Sequence, residues 1–344
     1  MSGKPAYYVV LPGLSSGRWQ SGGLLIARKL AGLLETHVDC QVVTSHDRED
    51  GVLFLDDLLT DRPDPASVFL VTWGPHVHGL LERLEGRRVV YYAQSTGWED
   101  RLPTTVPVVC LSRYIMAFWM FHAPYNPLFL LGPVLENGCR DLGLGRDVDV
   151  LFLERKSSTY LRDTLVPALR RRCRVYTQRQ FIPRDDLFGL YNRSKVYLYS
   201  SAPWSSGWVE GFGFQPLEAI LCGCTVFSNL HGGLADYLVP ELNCFKLEVH
   251  STEYDLARIL DAVRGALRPA SPDPDSLANA YSEDAFHQKA GAIIPALDQY
   301  FDHVEHLSDR HAPIRPTPEA PRWRRWLYRH RKAIRNHLSP RGPR

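Results

Sequence analysis

The sequence predicts an α/β protein built on two parallel sheets. Short apolar runs alternate along the chain with longer segments whose apolar residues recur every three or four positions. This alternation is typical of parallel sheets, whose strands are joined through helices. The 344 residues are enough for two domains, at roughly 150 residues each. The proline-containing segment 124–138 separates two such alternating series, so we predict that it connects two domains.

The first series opens with a strand, a glycine-rich loop and a helix. The strand covers Tyr7–Leu11, the loop runs from Pro12 to Gly23, and the helix covers Leu24–Leu34. This order is Rossmann-like, and the N–H groups at such a helix start can receive an anion. The loop lacks the spacing G-x-G-x-x-G, which disfavours a nicotinamide oxidoreductase. Further strands are predicted at Gln41–Thr44, Val68–Thr72, Val89–Ala93 and Val108–Ser112, with a helix from Arg113.

The second series contains the stretch with the most site-like pattern, Lys195–Asp236. Here a strand at Lys195–Ser200 leads into a polar loop, a short helix at Leu217–Cys222 and a strand at Thr225–Ser228. Loops at the carboxyl ends of parallel strands are where such sheets bind ligands. The other predicted elements are strands at Asp149–Leu153 and Arg174–Thr177 and helices at Tyr160–Arg171, Pro183–Arg193, Thr252–Leu267 and Ala285–Val304, with a break at Ala270–Asp275.

Two carboxylates in this stretch are candidate ligand groups. Glu210 lies in the loop and Glu218 follows it after seven residues. We expect Glu218 to be ionised, because a helix N-terminus stabilises negative charge. Taken alone, the two glutamates favour a plainer interpretation, in which Glu218 only complements the helix dipole and Glu210 is solvated, since charged side chains are mostly exposed.

The composition is that of a globular protein without a membrane span. Hydrophobic residues make up 44% and charged residues 23% of the chain, as in ordinary soluble proteins. No run of eighteen apolar residues predicts a transmembrane helix, and the first residues show no signal peptide. The seven scattered cysteines favour reduced thiols and no metal site. We therefore expect a cytoplasmic protein.

The positive charge is concentrated at the C-terminus. Residues 322–344 hold nine Lys and Arg and no Asp or Glu, so the rest of the chain has a net charge of −7 against a total of +2. A body of this charge argues against nucleic acid as a partner. The proline-rich segment 311–321 precedes a basic segment that could lie on an anionic membrane as a peripheral contact. A disordered solubilising tail is the equally weighted alternative.

The glutamate motif resembles a known enzyme group. Glu210-Gly211-Phe212-Gly213-Phe214-Gln215-Pro216-Leu217-Glu218-Ala219, followed by Cys222-Gly223 and by Gly232-Gly233, is similar to the E-x7-E motif of retaining glycosyltransferases of the GT-B fold. That group includes sucrose and glycogen synthases and many bacterial sugar transferases, the family 4-like type. The resemblance extends over residues 7–300, through Ile182–Leu187 and Cys110–Tyr114.

The resemblance implies a fold and a reaction. Two Rossmann-like domains would face each other across a cleft, with residues 1–135 binding the acceptor, residues 136–310 binding the sugar donor and residues 311–344 forming a tail. The reaction would transfer a sugar from a nucleotide sugar, a co-substrate rather than a cofactor, with retention and without a metal. The acceptor would be a glycan, a lipid-linked molecule or a small molecule in cell-envelope or polysaccharide biosynthesis.

The resemblance also implies roles for individual residues. Glu218 would bind the ribose hydroxyls, and Glu210 the sugar. Arg155 and Lys156 would neutralise the leaving diphosphate, although the family usually separates this pair by several residues and here they are adjacent. Gln94 stands where many members have a histidine. The remaining predicted contacts to the nucleotide sugar are Gly22, Gly23, Gly211, Phe212, Gly213, Phe214 and Gln215.

Two other functions remain open for a chain of this fold. A catalytically inactive GT-B binding protein would keep the fold without the reaction, and the presence of both glutamates argues against it. A GT-B phosphorylase would use phosphate to cleave a glycoside, and phosphate-dependent cleavage would identify it.

Overall fold

Two parallel sheets organise the computed structural model. It describes residues 6–15, 19, 21–72, 74–96, 102–155, 157–201, 209–270 and 273–305. Up to Asp302 these residues belong to one compact unit. The buried side chains of both sheets contribute to one continuous apolar cluster, which includes Val9 of the first sheet and Leu151 of the second. The predicted α/β class is therefore confirmed.

The first sheet has seven parallel strands in the order β3-β2-β1-β4-β5-β6-β7. Its strands are β1 Ala6–Leu11, β2 Asp39–Thr44, β3 Leu53–Phe54, β4 Val68–Val71, β5 Arg88–Ala93, β6 Val108–Cys110 and β7 Leu128–Leu130. Its helices are α1 Gly22–Leu34, α2 Leu55–Thr60, the 3₁₀ turn Gly74–His76, α3 Val77–Arg83 and α4 Arg113–His122. The interior strand β1 is apolar and almost fully buried because helices cover both faces of the sheet.

The second sheet has five parallel strands in the order β12-β11-β10-β8-β9. Its strands are β8 Val148–Leu153, β9 Val175–Gln178, β10 Ser194–Tyr199, β11 Thr225–Ser228 and β12 Phe245–Lys246. Its helical segments are the π-helical turn Leu161–Leu165, α5 Val166–Arg170, α6 Arg184–Asn192, α7 Phe214–Leu221, the 3₁₀ turn Gly232–Asp236, α8 Thr252–Val263, α9 Pro274–Ala280 and α10 Glu283–Glu305.

The structure differs from the sequence-based prediction in several segments, among them the following three. The connection at 124–138 contains β7, which pairs in parallel with β6 through three residues. The break predicted at Ala270–Asp275 runs into α9, whose first turn is capped by the Asp273 side chain. The helix predicted from Tyr160 begins as a π-helical turn. In the first two segments, prolines made the sequence resemble a loop.

The last helix returns to the first sheet. The Tyr7 hydroxyl donates to Asp298 at 3.0 Å, and Arg88 forms an ion pair with Asp302 at 2.9 Å. Just before α10, the Leu135 N–H donates to the Tyr281 carbonyl at 2.9 Å, so the two chain segments that pass between the sheets lie side by side. The domain boundaries predicted at residues 135 and 310 stay predictions.

No helix in the described part of the chain is long and apolar enough to cross a membrane. The basic segment 322–344 lies outside the described residues. Its contact with a membrane surface therefore remains a prediction from sequence.

Candidate active site

Glu218 lies in a helix that begins earlier than the sequence predicts. Gly213 has a φ of 77°, and this left-handed conformation turns the chain directly into α7 at Phe214. Glu218 is therefore in the second turn of the helix, and the first turn holds no acidic residue. Its side chain has no exposed surface. Glu218 is therefore not an exposed first-turn residue that only complements the helix dipole.

Arg184 ties Glu218 to the segment between the sheets. One guanidinium nitrogen of Arg184 is paired with Glu218 Oε1, and its Nε lies 3.0 Å from Oε2 of Glu136. The guanidinium also lies over the rings of Phe188 and Phe214, at 5.5 and 5.9 Å from their centroids. The second oxygen of Glu218, Oε2, is buried and has no hydrogen-bond partner among the described residues. One oxygen of the carboxyl group is thus fixed and the other is available.

Burial controls the protonation of Glu218. Desolvation raises its pKa to about 7, Arg184 opposes this rise, and Glu136 adds to it. The loss of hydration outweighs the helix dipole, which stabilises a carboxylate by only about 0.3–1 kcal/mol at an exposed site. The sequence-based expectation that Glu218 is fully ionised is therefore wrong, because its pKa lies near 7. Other groups that interact with its charge are Tyr191, Tyr197, Tyr237 and Cys139.

Stability is expected to depend on pH through this carboxyl group. Its ordinary pKa is 4.5 and its folded pKa about 7. Between these two pH values the unfolded chain binds fewer protons than the folded protein. The free energy of unfolding therefore falls as pH rises, by up to about 1.4 kcal/mol per pH unit. Arg184→Gln removes the cation that lowers this pKa, so the decline should continue above pH 7. We expect the variant to lose about 3 kcal/mol at pH 8 and much less at pH 5.

Urea unfolding between pH 5 and 8.5 measures this effect. The double variant Arg184→Gln/Glu218→Gln is the control, because it carries no titrating group at position 218 and should lose the extra slope. Parallel curves for wild type and Arg184→Gln would contradict the assignment.

Glu210 lies next to the second glycine loop. Its carbonyl oxygen accepts a hydrogen bond from the Gly233 N–H at 2.9 Å. Its side chain is half-buried and faces Tyr199, whose pKa is raised first by burial and then by the charge of Glu210. The loop that carries Glu210 and the loop that follows β11 are therefore packed backbone to backbone.

Gln94 brings the first sheet to this loop. It follows β5, and its carbonyl oxygen lies so close to Gly211 that a Cβ at that position would overlap it. Its side-chain oxygen similarly occupies the space that a Cβ on Gly23 would need. The Nε2 group of Gln94 is buried without a partner among the described residues. Predicted site residues of both sheets thus converge on Gln94.

The start of α1 contributes backbone N–H groups to the same region. The Ser21 side chain caps this helix by accepting from the Leu24 N–H at 3.2 Å. Gly22 and Gly23 form the first turn, where helix N–H groups have no partner within the helix. Such a helix start attracts negative charge.

The remaining predicted contacts have different surroundings. Phe212 is buried against other aromatic rings, so only its backbone could meet a ligand. Gln215 accepts from the Tyr197 hydroxyl at 3.2 Å. Arg155 is exposed in the turn after β8, and no ion pair joins it to another described residue. Lys156 lies outside the described residues.

Sequence reasoning missed two charged residues of this site. Arg184 fell within the segment that resembles the glycosyltransferase family, but no sequence pattern linked it to Glu218, 34 residues away. Glu136 lay in the segment that we interpreted as a connection. Its Oε2 lies 3.0 Å from Arg184 Nε, so it meets the site only through that arginine.

A second polar cluster lies at the carboxyl edge of the first sheet. The rings of His46 and His76 have centroids 4.2 Å apart, and the Trp19 Nε1–H donates to Asp47 at 2.6 Å. Burial lowers the pKa of His76, and the neighbouring His46 lowers it further. Among the described residues, no group of three His, Cys, Asp or Glu side chains is arranged to hold a metal ion.

Several solved structures with a similar fold are distant in sequence. A sucrose-phosphate synthase from Thermosynechococcus elongatus aligns with a TM-score of 0.61 and 13% identity, over 86% of this chain and 99% of its own. A glycosyltransferase from Rickettsia africae aligns with a TM-score of 0.59 and 11% identity, over 88% of this chain and 100% of its own. The Anabaena protein HepE, solved in complex with UDP, aligns with a TM-score of 0.56 and 12% identity, over 85% of this chain and 100% of its own.

These likenesses establish the fold. The chain has two Rossmann-like domains that face each other across a cleft in the GT-B arrangement, as predicted. No protein-family model matches the sequence, and no curated protein matches it. At 11–13% identity the similar structures do not by themselves assign an activity to this chain.

Proposed function

We propose that this protein is a retaining glycosyltransferase that uses a nucleotide sugar. The observation that carries the proposal is the fully buried Glu218, which has one oxygen bound by Arg184 and the other without a partner in the described residues. A free carboxylate oxygen in a desolvated site binds hydroxyl groups strongly. We assign it to the ribose of the nucleotide. Because Glu218 has no exposed surface, Arg184 or another covering group must move when the ribose enters.

Glu210 and Gln94 would contact the sugar. They come from opposite domains and approach the same glycine loop, so a sugar bound there would contact both. The N–H groups of Gly22 and Gly23 and of the α7 start would receive phosphate or sugar oxygens. Arg155 and Lys156 would balance the charge of the leaving diphosphate in place of a metal.

Retention follows from attack on the face that the leaving group vacates. The acceptor oxygen would bond to the anomeric carbon as the bond from that carbon to the diphosphate breaks. The acceptor proton would pass to the departing diphosphate oxygen, so no side chain need act as the base. The acceptor would be a glycan or a lipid-linked molecule in cell-envelope or polysaccharide biosynthesis. HepE, one of the similar structures, was solved with UDP, which supports a nucleotide ligand.

A thermal-shift screen of nucleotide sugars tests the proposal. A true sugar donor at a hundred times its dissociation constant should stabilise the protein by about 2.7 kcal/mol. Nuclear magnetic resonance of the product should then show the same anomeric configuration as in the donor. A product of inverted configuration would disprove retention. A screen in which no nucleotide sugar binds would contradict the proposed glycosyltransferase activity. Cleavage that requires phosphate would instead identify a phosphorylase.

A further inference from the structure

The helix α7 begins without a side-chain cap. Gly213, the residue before it, has no side chain that could accept a hydrogen bond from the first turn. Three other helices, α1, α4 and α8, each follow a serine whose side chain accepts from an N–H of the first turn, namely Ser21, Ser112 and Ser251. The proposed function assigns the uncapped N–H groups of α7 to a ligand. The opening turn of α7 must therefore be held by groups outside the helix.

The Tyr237 hydroxyl holds the peptide group that opens this helix. It donates a hydrogen bond to the Gly213 carbonyl oxygen. Because a peptide group is planar and trans, fixing this carbonyl also fixes the Phe214 N–H, which points in the opposite direction. A glycine can otherwise rotate its peptide group at little cost, since it has no Cβ that restricts φ and ψ. Tyr237 therefore opposes the rotation that would turn the Phe214 N–H away from a ligand.

Tyr237 is itself held in place by its surroundings. Its side chain is buried, and its ring packs against that of Phe212 with the centroids 5.3 Å apart. The preceding residue, Asp236, accepts a hydrogen bond from the Arg113 N–H at 2.7 Å, which ties this turn to the start of α4 in the first sheet. The Tyr237 hydroxyl therefore has a defined position before any ligand binds.

A second buried tyrosine orients the side chain of Gln215. Tyr197 lies in β10, and its hydroxyl donates to Gln215 Oε1 at 3.2 Å. With its oxygen turned towards Tyr197, the amide of Gln215 presents its Nε2 group on the other side, and this group can only donate. Gln215 is half-buried, so that end of the amide is open to a ligand. A donor in this position suits ionised phosphate oxygens, which accept hydrogen bonds.

The two tyrosines act on neighbouring donors. Tyr237 fixes the backbone N–H of Phe214, and Tyr197 fixes the side-chain amide of Gln215. We propose that Tyr237 and Tyr197 are positioning residues for the diphosphate of the nucleotide sugar, an inference that rests on the proposed function. Neither tyrosine would touch the ligand. Both donors would be oriented before binding, so the diphosphate would not have to bear the cost of ordering them.

Tyr237→Phe and Tyr197→Phe test this assignment, because each removes a hydroxyl and keeps the ring. The probe is inorganic pyrophosphate, which carries the diphosphate unit without sugar, ribose or base. We expect its affinity, measured by isothermal titration calorimetry, to fall about three- to tenfold in Tyr237→Phe and about two- to fivefold in Tyr197→Phe. The nucleoside of the nucleotide sugar found in the thermal-shift screen lacks the diphosphate, so it should bind both variants and wild type equally.

Tyr92→Phe is the matched control. Tyr92 is also buried, and its hydroxyl donates to a backbone carbonyl, that of Leu131, at 3.3 Å in the first sheet. This variant should lower the thermal unfolding temperature about as much as Tyr237→Phe does, but it should change pyrophosphate affinity less than about twofold. In a Gln215→Ala background, Tyr197→Phe should cause no further loss of pyrophosphate affinity, because the side chain that Tyr197 orients is absent.

Three results would overturn the inference and leave the proposed function standing. The first is an unchanged pyrophosphate affinity in both tyrosine variants. The second is an equal loss in Tyr92→Phe, or an equal loss for the nucleoside, since either would mean a general effect of lowered stability. The third is a wild type that binds a nucleotide sugar but not pyrophosphate. A wild type that binds neither would contradict the proposed function itself, and the inference would fall with it.

Discussion

Replacing Glu218 with glutamine is expected to lower the affinity for the nucleoside diphosphate about fifty- to a hundredfold. The glutamine has the same shape but no charge, and it points an amide N–H₂ group where one hydroxyl acceptor stood. Hydrogen bonds to a charged group contribute about 1.5–3 kcal/mol, and each 1.4 kcal/mol is a factor of ten in affinity. The effect should be large because Glu218 is fully desolvated. Isothermal titration with the diphosphate identified by the screen measures it.

A ligand without ribose hydroxyls separates the ribose contact from other losses. The 2′,3′-dideoxy diphosphate should bind wild type and Glu218→Gln equally weakly, because the contact is absent from both. Glu136→Gln is the matched variant, since it removes a carboxylate from the same arginine without touching the proposed ribose site. It should change affinity less than about threefold. Equal penalties for both diphosphates in Glu218→Gln would show that this residue does not bind the ribose.

Substituting alanine for Gly233 should destabilise the protein by about 2–4 kcal/mol. A Cβ at this buried position would overlap the Gly211 carbonyl oxygen and lie 2.6 Å from the Cα of Phe212. Both obstacles are backbone atoms, which cannot rotate away as a side chain can, so the two glycine loops would have to separate. The hydrogen bond between the Gly233 N–H and Glu210 would weaken as they do so. Urea unfolding measures the loss.

Gly32→Ala provides the contrast for this prediction. Gly32 lies in α1, and a Cβ there would meet nothing within 4 Å. An alanine in the helix interior should raise stability by about 0.5–1 kcal/mol. If Gly233→Ala were as stable as wild type, the close packing of the two loops would be wrong.

The sequence predicted the strands and the ligand-binding edge because these depend on local patterns. The apolar runs of β1, β8 and β10 match their predicted positions within one or two residues. β7 was missed because it has three residues in a proline-rich segment and exists through pairing with β6. Short edge strands of this kind depend on pairing with a strand elsewhere in the chain, and the hydrophobic periodicity of the segment itself does not predict that pairing.

The electrostatics of the site were less predictable from sequence than its location. The E-x7-E spacing indicated Glu218 as a ligand group, but helix position alone predicted an ionised carboxylate. Burial of α7 and the placement of Arg184 and Glu136 set its actual pKa. These are contacts between residues far apart in the chain, so no pattern within a single segment reports them.

The paired segments between the sheets restrict how the two domains can move. A single connecting segment would permit the two domains to rotate about almost any axis. Here two segments run side by side and are hydrogen-bonded at Leu135 and Tyr281, and two neighbouring segments resist torsion about their common direction more than one does. Relative motion of the domains is therefore expected to be a bend centred on Leu135 and Tyr281, with little torsional component.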